Sequence, residues 1–278
     1  MKKMIIISVI VGILAALCVI AFWRGLVIRN YLITTNKFEP GQRVRAVLIS
    51  DLHSHIHGSD QNPLIRRIRA QNPDIILLAG DIYDDVTPGR GTELFLAGIQ
   101  DIAPIFYVSG NHEYWTWEID RVKALFRSFG VTVLEDEYVE VMVNNIPLII
   151  AGVCDPECSQ HGNRGARPSM QDTFGHLSPD DGKFKILLSH RPELIRLHRQ
   201  FPFDLVVSGH AHGGQVRIPF LLNGLYAPNQ GFFPSYAGGL FKHDDLTHIV
   251  SRGASYNHPR LPRIFNPPEI VVIDIVGR

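Results

Sequence analysis

Cysteine is scarce and net charge is absent in this 278-residue sequence. Three cysteines are too few for the disulfide framework of a small secreted domain. Lys+Arg and Asp+Glu balance at 27 each, so no overall field favours nucleic acid as a partner. With 45% hydrophobic and 19% charged residues, the chain is not disordered. No internal repeat and no central linker is visible. We therefore predict one large domain with an N-terminal appendage, and no obligate protein partner.

The few cysteines leave one question open. Cys18 lies in the apolar N-terminal run, whereas Cys154 and Cys158 are close together in a predicted loop. This pair could form a small-loop disulfide, bind a metal weakly or have no function.

One long hydrophobic run is present, from Met4 to Trp23, and its 20 residues include no charge. At about 1.5 Å per residue, such a helix spans a hydrocarbon core of about 30 Å. A cleaved signal peptide is shorter and ends in small residues, whereas this run ends in Phe22-Trp23. We predict an uncleaved anchor with a transmembrane segment at about 4–23, a buried core helix being the alternative.

The anchor implies a single-pass protein of the cell membrane. Residues 1–36 are assigned to the anchor and its tether, and residues 37–278 to the domain. Lys2 and Lys3 precede the run and Arg24 and Arg29 follow it, so the charge bias is nearly cancelled. The membrane face of the domain is therefore open.

Five predicted apolar strands are each followed directly by polar residues. The strands lie at 44–50, 74–79, 104–108, 184–188 and 204–207, with helices predicted at 63–70, 91–100, 115–129 and 192–200. In open α/β sheets ligands bind at the carboxyl ends of strands, so the polar residues should converge on one site. They are Asp51, His53, Asp81, Asn111, His112, His190, His210 and His212.

These side chains suit a pair of metal ions. Carboxylate, imidazole and amide ligands without thiolate favour Mn, Fe, Zn, Ni or Co, and we favour Mn. Without His112, seven candidate ligands remain. Seven are too many for one ion, but they fit two ions that share a bridging carboxylate. Such a cationic pair attracts phosphate, acidifies a water and generates the attacking hydroxide. His112 is placed to donate a proton to the leaving oxygen or to stabilise developing charge.

Five motifs in a fixed order resemble those of the calcineurin-like metallophosphoesterase family. The resemblance extends from about residue 44 to the C-terminus and implies an α/β (α+β type) fold, a four-layer α/β/β/α sandwich of two mixed sheets. The motifs are Asp51-Leu52-His53, Gly80-Asp81, Gly110-Asn111-His112-Glu113, a lone His190 and Gly209-His210-Ala211-His212.

The resemblance also implies a role for each residue. Asp81 would bridge the two metals, and His112 would be the catalytic histidine. The first metal would be held by Asp51, His53, Asp81 and His212, and the second by Asp81, Asn111, His190 and His210.

More narrowly, the run 208–219 and the pattern Arg260…Pro268-Glu269-Ile270 resemble the membrane-associated YkuE/YaeI-like bacterial branch. Relatives of that class hydrolyse a UDP-diacylglucosamine lipid precursor, so a phosphorylated small molecule or lipid is the expected substrate. A plain anchor replaces the twin-arginine signal expected of the first subgroup. The competing hypothesis is a non-catalytic, metal-loaded binding module at the membrane.

Other residues near the motifs carry weaker predictions. Arg191, Arg217 and Arg260 are candidate phosphate contacts. Phe220–Phe241 is predicted as a long irregular loop, a common substrate-recognition element. Local or structural roles are predicted for other polar residues: Asp84 and Asp85 as caps or solvated carboxylates, Glu113 as a cap or His-orienting group, and His55 and His57 as solvated loop residues.

Overall fold

Two six-stranded sheets form the centre of the protein in this computed structural model, which describes residues 2–161, 170–177, 181–256 and 262–278. The strands are β1 (Val27–Thr35), β2 (Arg43–Ile49), β3 (Ile75–Ala79), β4 (Ile105–Val108), β5 (Thr132–Val133), β6 (Glu137–Val143), β7 (Ile146–Gly152), β8 (Phe184–Leu188), β9 (Leu205–Ser208), β10 (Tyr226–Ala227), β11 (Gly231–Phe232), β12 (Gly239–His243), β13 (Leu246–Val250) and β14 (Glu269–Gly277).

Helices flank the sheets. They are α1 (Lys2–Ala21), α2 (Asn62–Arg69), α3 (Arg90–Ile99), α4 (Asn111–Trp115), α5 (Ile119–Ser128), α6 (Cys158–His161), α7 (Met170–Leu177) and α8 (Ile195–His198), with short 3-10 turns at Pro192–Leu194 and His212–Gly214.

Both sheets are mixed. The first has the order β1-β14-β2-β3-β4-β5, and the second has the order β12-β13-β9-β8-β7-β6. In the first sheet β14 pairs parallel with β1 and antiparallel with β2, while β2, β3 and β4 run parallel. The carboxyl ends of β2, β3 and β4 therefore lie at one end of this sheet, together with the start of β14.

Successive side chains of a strand point to opposite faces of the sheet, and this alternation explains how the sheets and helices are layered. In β3, Ile75, Leu77 and Ala79 face the second sheet, whereas Ile76 and Leu78 face α2, α3 and α5. The outer face of the second sheet packs against α7 and α8. Strands buried on both faces read as continuous apolar runs, as these do. The predicted four-layer α/β/β/α architecture is confirmed.

The N-terminal helix α1 is long and apolar enough to cross a membrane, with only 6% of its most apolar window buried. The strand that follows, β1, was not predicted and lies within the segment assigned to anchor and tether. It is an edge strand with few buried residues, so its sequence lacks a strong alternation of apolar and polar residues.

Other boundaries also differ from prediction. The helix expected over 115–129 is two helices, α4 and α5, separated at Trp117, whose backbone is left-handed (φ 61°). The helix expected over 192–200 is a 3-10 turn followed by the short α8. The predicted irregular segment Phe220–Phe241 contains the β10–β11 hairpin and enters the edge strand β12.

Candidate metal centre

The polar residues that follow the five strands lie together between the carboxyl ends of the two sheets. Asp51, His53, Asp81 and His212 bring one potential ligand atom each to within 4.8 Å of one another. Asp81 does the same with His190 and His210. Asp81 is thus common to both groups.

The Asp81 carboxylate lies between the two groups. Its Oδ2 is 3.1 Å from His190 Nε2 on one side and 3.8 Å from His53 Nε2 on the other. Its Oδ1 accepts a hydrogen bond from the His112 backbone N–H at 2.9 Å. One oxygen is therefore held by the protein, and the other faces the space between the clusters.

Unpartnered buried atoms show that the site fits metal ions. Within the described residues, Asp81 Oδ2, Asn111 Oδ1 and His190 Nε2 are buried and have no hydrogen-bond partner. Leaving a buried polar group unpaired costs about 1–3 kcal/mol, and more when the group is charged. A divalent cation would satisfy all three, because each is an oxygen or nitrogen lone pair of the kind that such ions bind.

Two ligand histidines are oriented by the protein. His190 Nδ1 donates to the Ala79 carbonyl at 2.8 Å, so its Nε2 carries the free lone pair. His53 Nδ1 is 3.0 Å from Asp84 Oδ1, which leaves its Nε2 for the site. Such outer partners fix the tautomer and ring orientation of metal-binding histidines.

Glu113 holds two ligand loops together. Its buried carboxylate accepts hydrogen bonds from the backbone N–H groups of Asp81, Ile82 and Tyr83 at 2.7–2.9 Å. It also accepts from Gly110 N–H at 2.8 Å, which caps α4. The predicted capping role is confirmed, and the same carboxylate joins the Asp81 loop to the Asn111 loop.

The backbone at the site is unusual. Asp51, His53, Asp81, His210 and His212 all have φ between 47° and 66°. The left-handed region costs about 1–2 kcal/mol for a residue with a side chain, and such strain concentrates at functional sites.

Close packing at Gly110 supports this geometry. A Cβ at Gly110 would clash with Asp81 Oδ1 and would lie 2.8 Å from His190 Nε2. The chain can pass between these two side chains only where no side chain is present.

The carboxylates give the site a strongly negative potential. Burial lowers the pKa of His190, but Asp81 and Asp51 outweigh it and raise that pKa to about 10. The pKa of His112 is likewise raised to about 10, because Asp81 and Asp84 outweigh the effect of burial. A site that holds protons this tightly will also attract cations, which compete with protons for the same ligands.

His112 is held by two carboxylates. Its Nδ1 is 3.0 Å from Asp84 Oδ1 and 2.7 Å from Asp85 Oδ1. The prediction that Asp84 and Asp85 are caps or solvated carboxylates was therefore incomplete. Asp84 does accept from Thr87 N–H, as a cap would, but its other oxygen contacts both His53 and His112. With Nδ1 engaged, Nε2 is the nitrogen free to exchange a proton.

A cleft of about 450 Å³ opens onto the site. Val86 and Trp115 form apolar parts of its wall, whereas the neighbouring Tyr114 is buried. Polar lining residues include Asp81, Asn111, His112, Arg191, His210 and Asn229.

Arg191 lies in this cleft, where its predicted role would require it. Its Nε and Nη2 bind Asp155 at 2.6 and 2.9 Å, while Nη1 donates to Asn229 Oδ1 at 2.6 Å and lies 3.2 Å from His210 Nε2. Arg217 does not line the cleft. Burial, and then the nearby Arg252, lower its pKa to about 10. Arg260 lies outside the described residues.

Several residues of the site were not indicated by the sequence. Arg263 is buried with Nη2 3.3 Å from His212 Nδ1, and Asn229 lies 2.8 Å from His210 Nε2. Neither belongs to a strand-end motif, so no pattern pointed to them. His55 and His57 are not solvated as predicted, since both pack edge-on near Tyr256.

Cys154 and Cys158 are buried neighbours of Tyr114, with their sulfurs 2.7 Å apart. Asp155, which binds Arg191, lies between them in the sequence. Cys18 lies in α1 and is exposed.

The chain resembles a protein family and several individual proteins by sequence. The family model described as calcineurin-like phosphoesterase matches residues 44–214. An uncharacterised metallophosphoesterase of Campylobacter jejuni is 29% identical over 241 residues, which are 84% of this chain and 60% of that protein. The metallophosphoesterase YkuE of Bacillus subtilis is 29% identical over 239 residues, 83% of this chain and 78% of that protein.

Solved structures support the same fold. The NAD nucleotidase of Haemophilus influenzae superposes with a TM-score of 0.54 at 14% identity, over 78% of this chain and 46% of that one. This chain thus spans 60% of the Campylobacter relative and about half of the nucleotidase. The family model covers more than half of the chain, and the strand-end residues within the matched range surround a site suited to divalent metal ions. The chain therefore belongs to the calcineurin-like phosphoesterase family, whose members are hydrolases of phosphoester bonds.

Proposed function

We propose that the site binds two divalent ions, with Mn favoured, and that Asp81 bridges them. Asp51, His53, Asp81 and His212 would hold the first ion, and Asp81, Asn111, His190 and His210 the second. The observation that carries this proposal is the membership of Asp81 in both clusters of potential ligands. The unpartnered Asn111 Oδ1 supports its assignment as the further ligand of the second cluster.

When bound, the ions would neutralise phosphate charge and acidify a water for attack on phosphorus. The protein would do the rest. Asp84 and Asp85 hold His112 through Nδ1, so that Nε2 can donate a proton to the leaving oxygen. Arg191, fixed by Asp155, lines the cleft and would supply positive charge toward a phosphate oxygen. The buried carboxylate of Glu113 keeps the two ligand loops in register.

The proposed substrate is a lipid-linked phosphodiester, pyrophosphate or monoester, such as a UDP-diacylglucosamine-like pyrophosphate. The apolar helix α1 supports a single-pass location in the cell membrane. Trp115 and Val86 give the cleft an apolar wall beside its cationic and metal-binding groups. A phosphate attached to an acyl-bearing group matches both features.

The test measures turnover and metal content together. Full-length protein in detergent is assayed with bis-p-nitrophenyl phosphate and p-nitrophenyl phosphate, with Mn²⁺ and after chelation, and bound metal is counted by mass spectrometry. We expect metal-dependent activity that Asp81→Asn and His112→Ala each reduce by at least about 100-fold, as for loss of a general acid. Asp81→Asn should also lose metal, whereas His112→Ala should retain it.

An exposed carboxylate provides the control. Asp101→Asn, at a side chain 63% exposed and paired with Arg69, should leave turnover and metal content unchanged. Full metal occupancy without turnover of either ester or of a lipid pyrophosphate would instead favour the binding-module hypothesis.

A further inference from the structure

Six exposed apolar side chains gather in the segment 216–233, and we call them the apolar rim. Phe220 and Leu221 are 107% and 85% exposed, and Phe232 and Phe233 are 70% and 68% exposed. Ile218 and Tyr226 complete the set, at 47% and 39% exposed. Single exposed apolar side chains are common on protein surfaces, but six within one short segment indicate an interaction site.

Hydrogen bonds hold the apolar rim in place. Ile218 N–H donates to the Leu222 carbonyl at 3.0 Å and Leu222 N–H donates back at 2.8 Å, which closes a tight turn with Phe220 and Leu221 at its tip. Phe233 N–H donates to the Leu225 carbonyl at 2.8 Å, and the rings of Tyr226 and Phe232 are 5.4 Å apart. These side chains are therefore presented to solvent by ordered backbone.

The apolar rim lies at the same end of the molecule as the membrane helix. Phe265 N–H donates to the carbonyl of Ala21, the last residue of α1, at 2.7 Å. The adjacent Ile264 carbonyl accepts from Arg217 N–H at 2.9 Å, and Ile218 follows directly. Two backbone hydrogen bonds thus connect the end of α1 to the start of the apolar rim.

Strand register places the metal centre at this end too. Val27 of β1, which starts soon after α1, pairs with Glu269 at the start of β14. Nearby on β14, Val271 pairs with Leu48, which immediately precedes the strand end that carries Asp51. The end of α1 and the ligand loops therefore share one end of the first sheet.

The same segment contributes to the cleft itself. Pro228 and Asn229, in the turn between β10 and β11, line the cleft, and Asn229 contacts His210 and Arg191. The strands on either side of that turn carry Tyr226 and Phe232. One hairpin thus borders the metal centre with its turn and presents aromatic side chains outside.

We propose that the apolar rim inserts into the surface of the bilayer that α1 spans, so that the cleft opens at the level of the lipid headgroups. This inference rests on the proposed membrane location and describes how substrate would reach the site. A lipid surface is favoured over a protein partner because the apolar rim continues from the anchor. Trp23 ends the apolar run and Arg24 and Arg29 follow it, in the region where aromatic and basic residues meet headgroups.

The test measures how deeply side chains of the apolar rim lie in a membrane, using the full-length chain. Phe220→Cys and Leu221→Cys are made separately in a Cys18→Ser background, labelled with the fluorophore NBD and reconstituted into phosphatidylcholine–phosphatidylglycerol vesicles. The matched control is Met142→Cys, at an exposed apolar residue (67%) on β6, the far edge strand of the second sheet. Two labelling sites guard against one variant that folds poorly.

We expect NBD at positions 220 and 221 to emit at shorter wavelength, to be quenched by brominated lipids and to be protected from iodide at least about fivefold relative to position 142. Equal iodide quenching at all three positions would overturn the proposal. Protection from iodide without quenching by brominated lipids would also overturn it, since a protein surface would then cover the apolar rim. The readout needs no turnover, so it fails or succeeds independently of the assay for phosphoester hydrolysis.

Discussion

At the scale of single residues, Asp84 connects two histidines of the site. One of its oxygens contacts both His53, a proposed ligand, and His112, the proposed acid, and Asp85 contacts His112. Burial would raise the pKa of Asp84, but hydrogen bonds from His112 and His53 hold it well below its usual range. The carboxylate therefore stays ionised and keeps both rings oriented.

This difference between neighbours leads to a prediction. Asp84→Asn should lower turnover by about 10–100-fold and also weaken metal retention, since it loosens a proposed ligand and the proposed acid together. Asp85→Asn should lower turnover but leave metal content unchanged. Turnover of bis-p-nitrophenyl phosphate and metal counts after dialysis would be compared for both variants. Equal metal loss in both would contradict the assigned contacts.

Gly110 gives a second prediction at this scale. Gly110→Ala places a methyl group against Asp81 Oδ1 and the His190 ring, so these must move apart. We expect loss of metal and a decrease of about 1–3 kcal/mol in the free energy of unfolding. Gly175→Ala in α7 is the control, because nothing lies within 4 Å of a Cβ there. Unfolding by urea and metal analysis of both variants provide the measurement.

At the scale of elements, the sequence predicted the parts with strong periodicity. Five strands are buried on both faces, and their apolar runs with polar ends could be recognised in the sequence alone. They are β2, β3, β4, β8 and β9. The edge strands β1 and β12 are only partly buried, so no apolar pattern marked them.

The residues of the candidate metal centre were predictable from the sequence to the same extent as the strands. Each strand-end residue of the two clusters could be named as a candidate because its position follows from the strand before it. Asn229 and Arg263 could not, since they reach the site from irregular segments whose course depends on tertiary packing. Asp and His adopt left-handed backbone more often than most residues, but residue type alone does not locate it at Asp51 and His53, because the surrounding loops impose it.

The packing of α8 under the second sheet predicts a response to acid. His198 is fully buried beside Phe174, with ring centroids 5.2 Å apart, and among the described residues neither ring nitrogen has a hydrogen-bond partner. Burial lowers its pKa to about 3, and nearby His248 is also buried with a lowered pKa. Unfolded histidine titrates near about 6.5. Between these values the unfolded chain binds more protons, so stability falls as pH decreases from about 6.5 toward 3.

His198→Leu should therefore reduce the loss of unfolding free energy by up to about 1.4 kcal/mol per pH unit in that range. Urea unfolding at pH 7.5 and 5.5 would measure the slope. His176→Leu, at an exposed histidine of α7, should leave the slope unchanged. An identical slope in wild type and His198→Leu would show that this imidazole does not limit acid stability.

At the scale of the whole molecule, the metal centre joins the two sheets. Asp51 and Asp81 follow strands of the first sheet, and His190 and His210 follow strands of the second. A bound ion would therefore stabilise the packing of one sheet on the other. Ligand at 100 times its dissociation constant contributes about 2.7 kcal/mol.

We expect chelation to lower the Tm of the full-length protein by about 5–10 °C, at about 2–4 °C for each kcal/mol. Returning Mn²⁺ should restore the Tm in wild type and in Asp101→Asn, but not in Asp81→Asn. Differential scanning fluorimetry in detergent gives the comparison. A Tm that is insensitive to chelation while activity is lost would mean that the ions do not link the sheets.

The short junction after α1 has a consequence for where the enzyme can act. Only residues 22–26 separate α1 from β1, the Leu26 carbonyl accepts from Arg67, and Ala21 is bound by Phe265. In a bilayer the domain would therefore be held at a fixed height and orientation, unlike a head on a long stalk. For the proposed lipid-linked substrate, the search would then be two-dimensional, with turnover set by surface density in one leaflet and an apposed membrane out of reach.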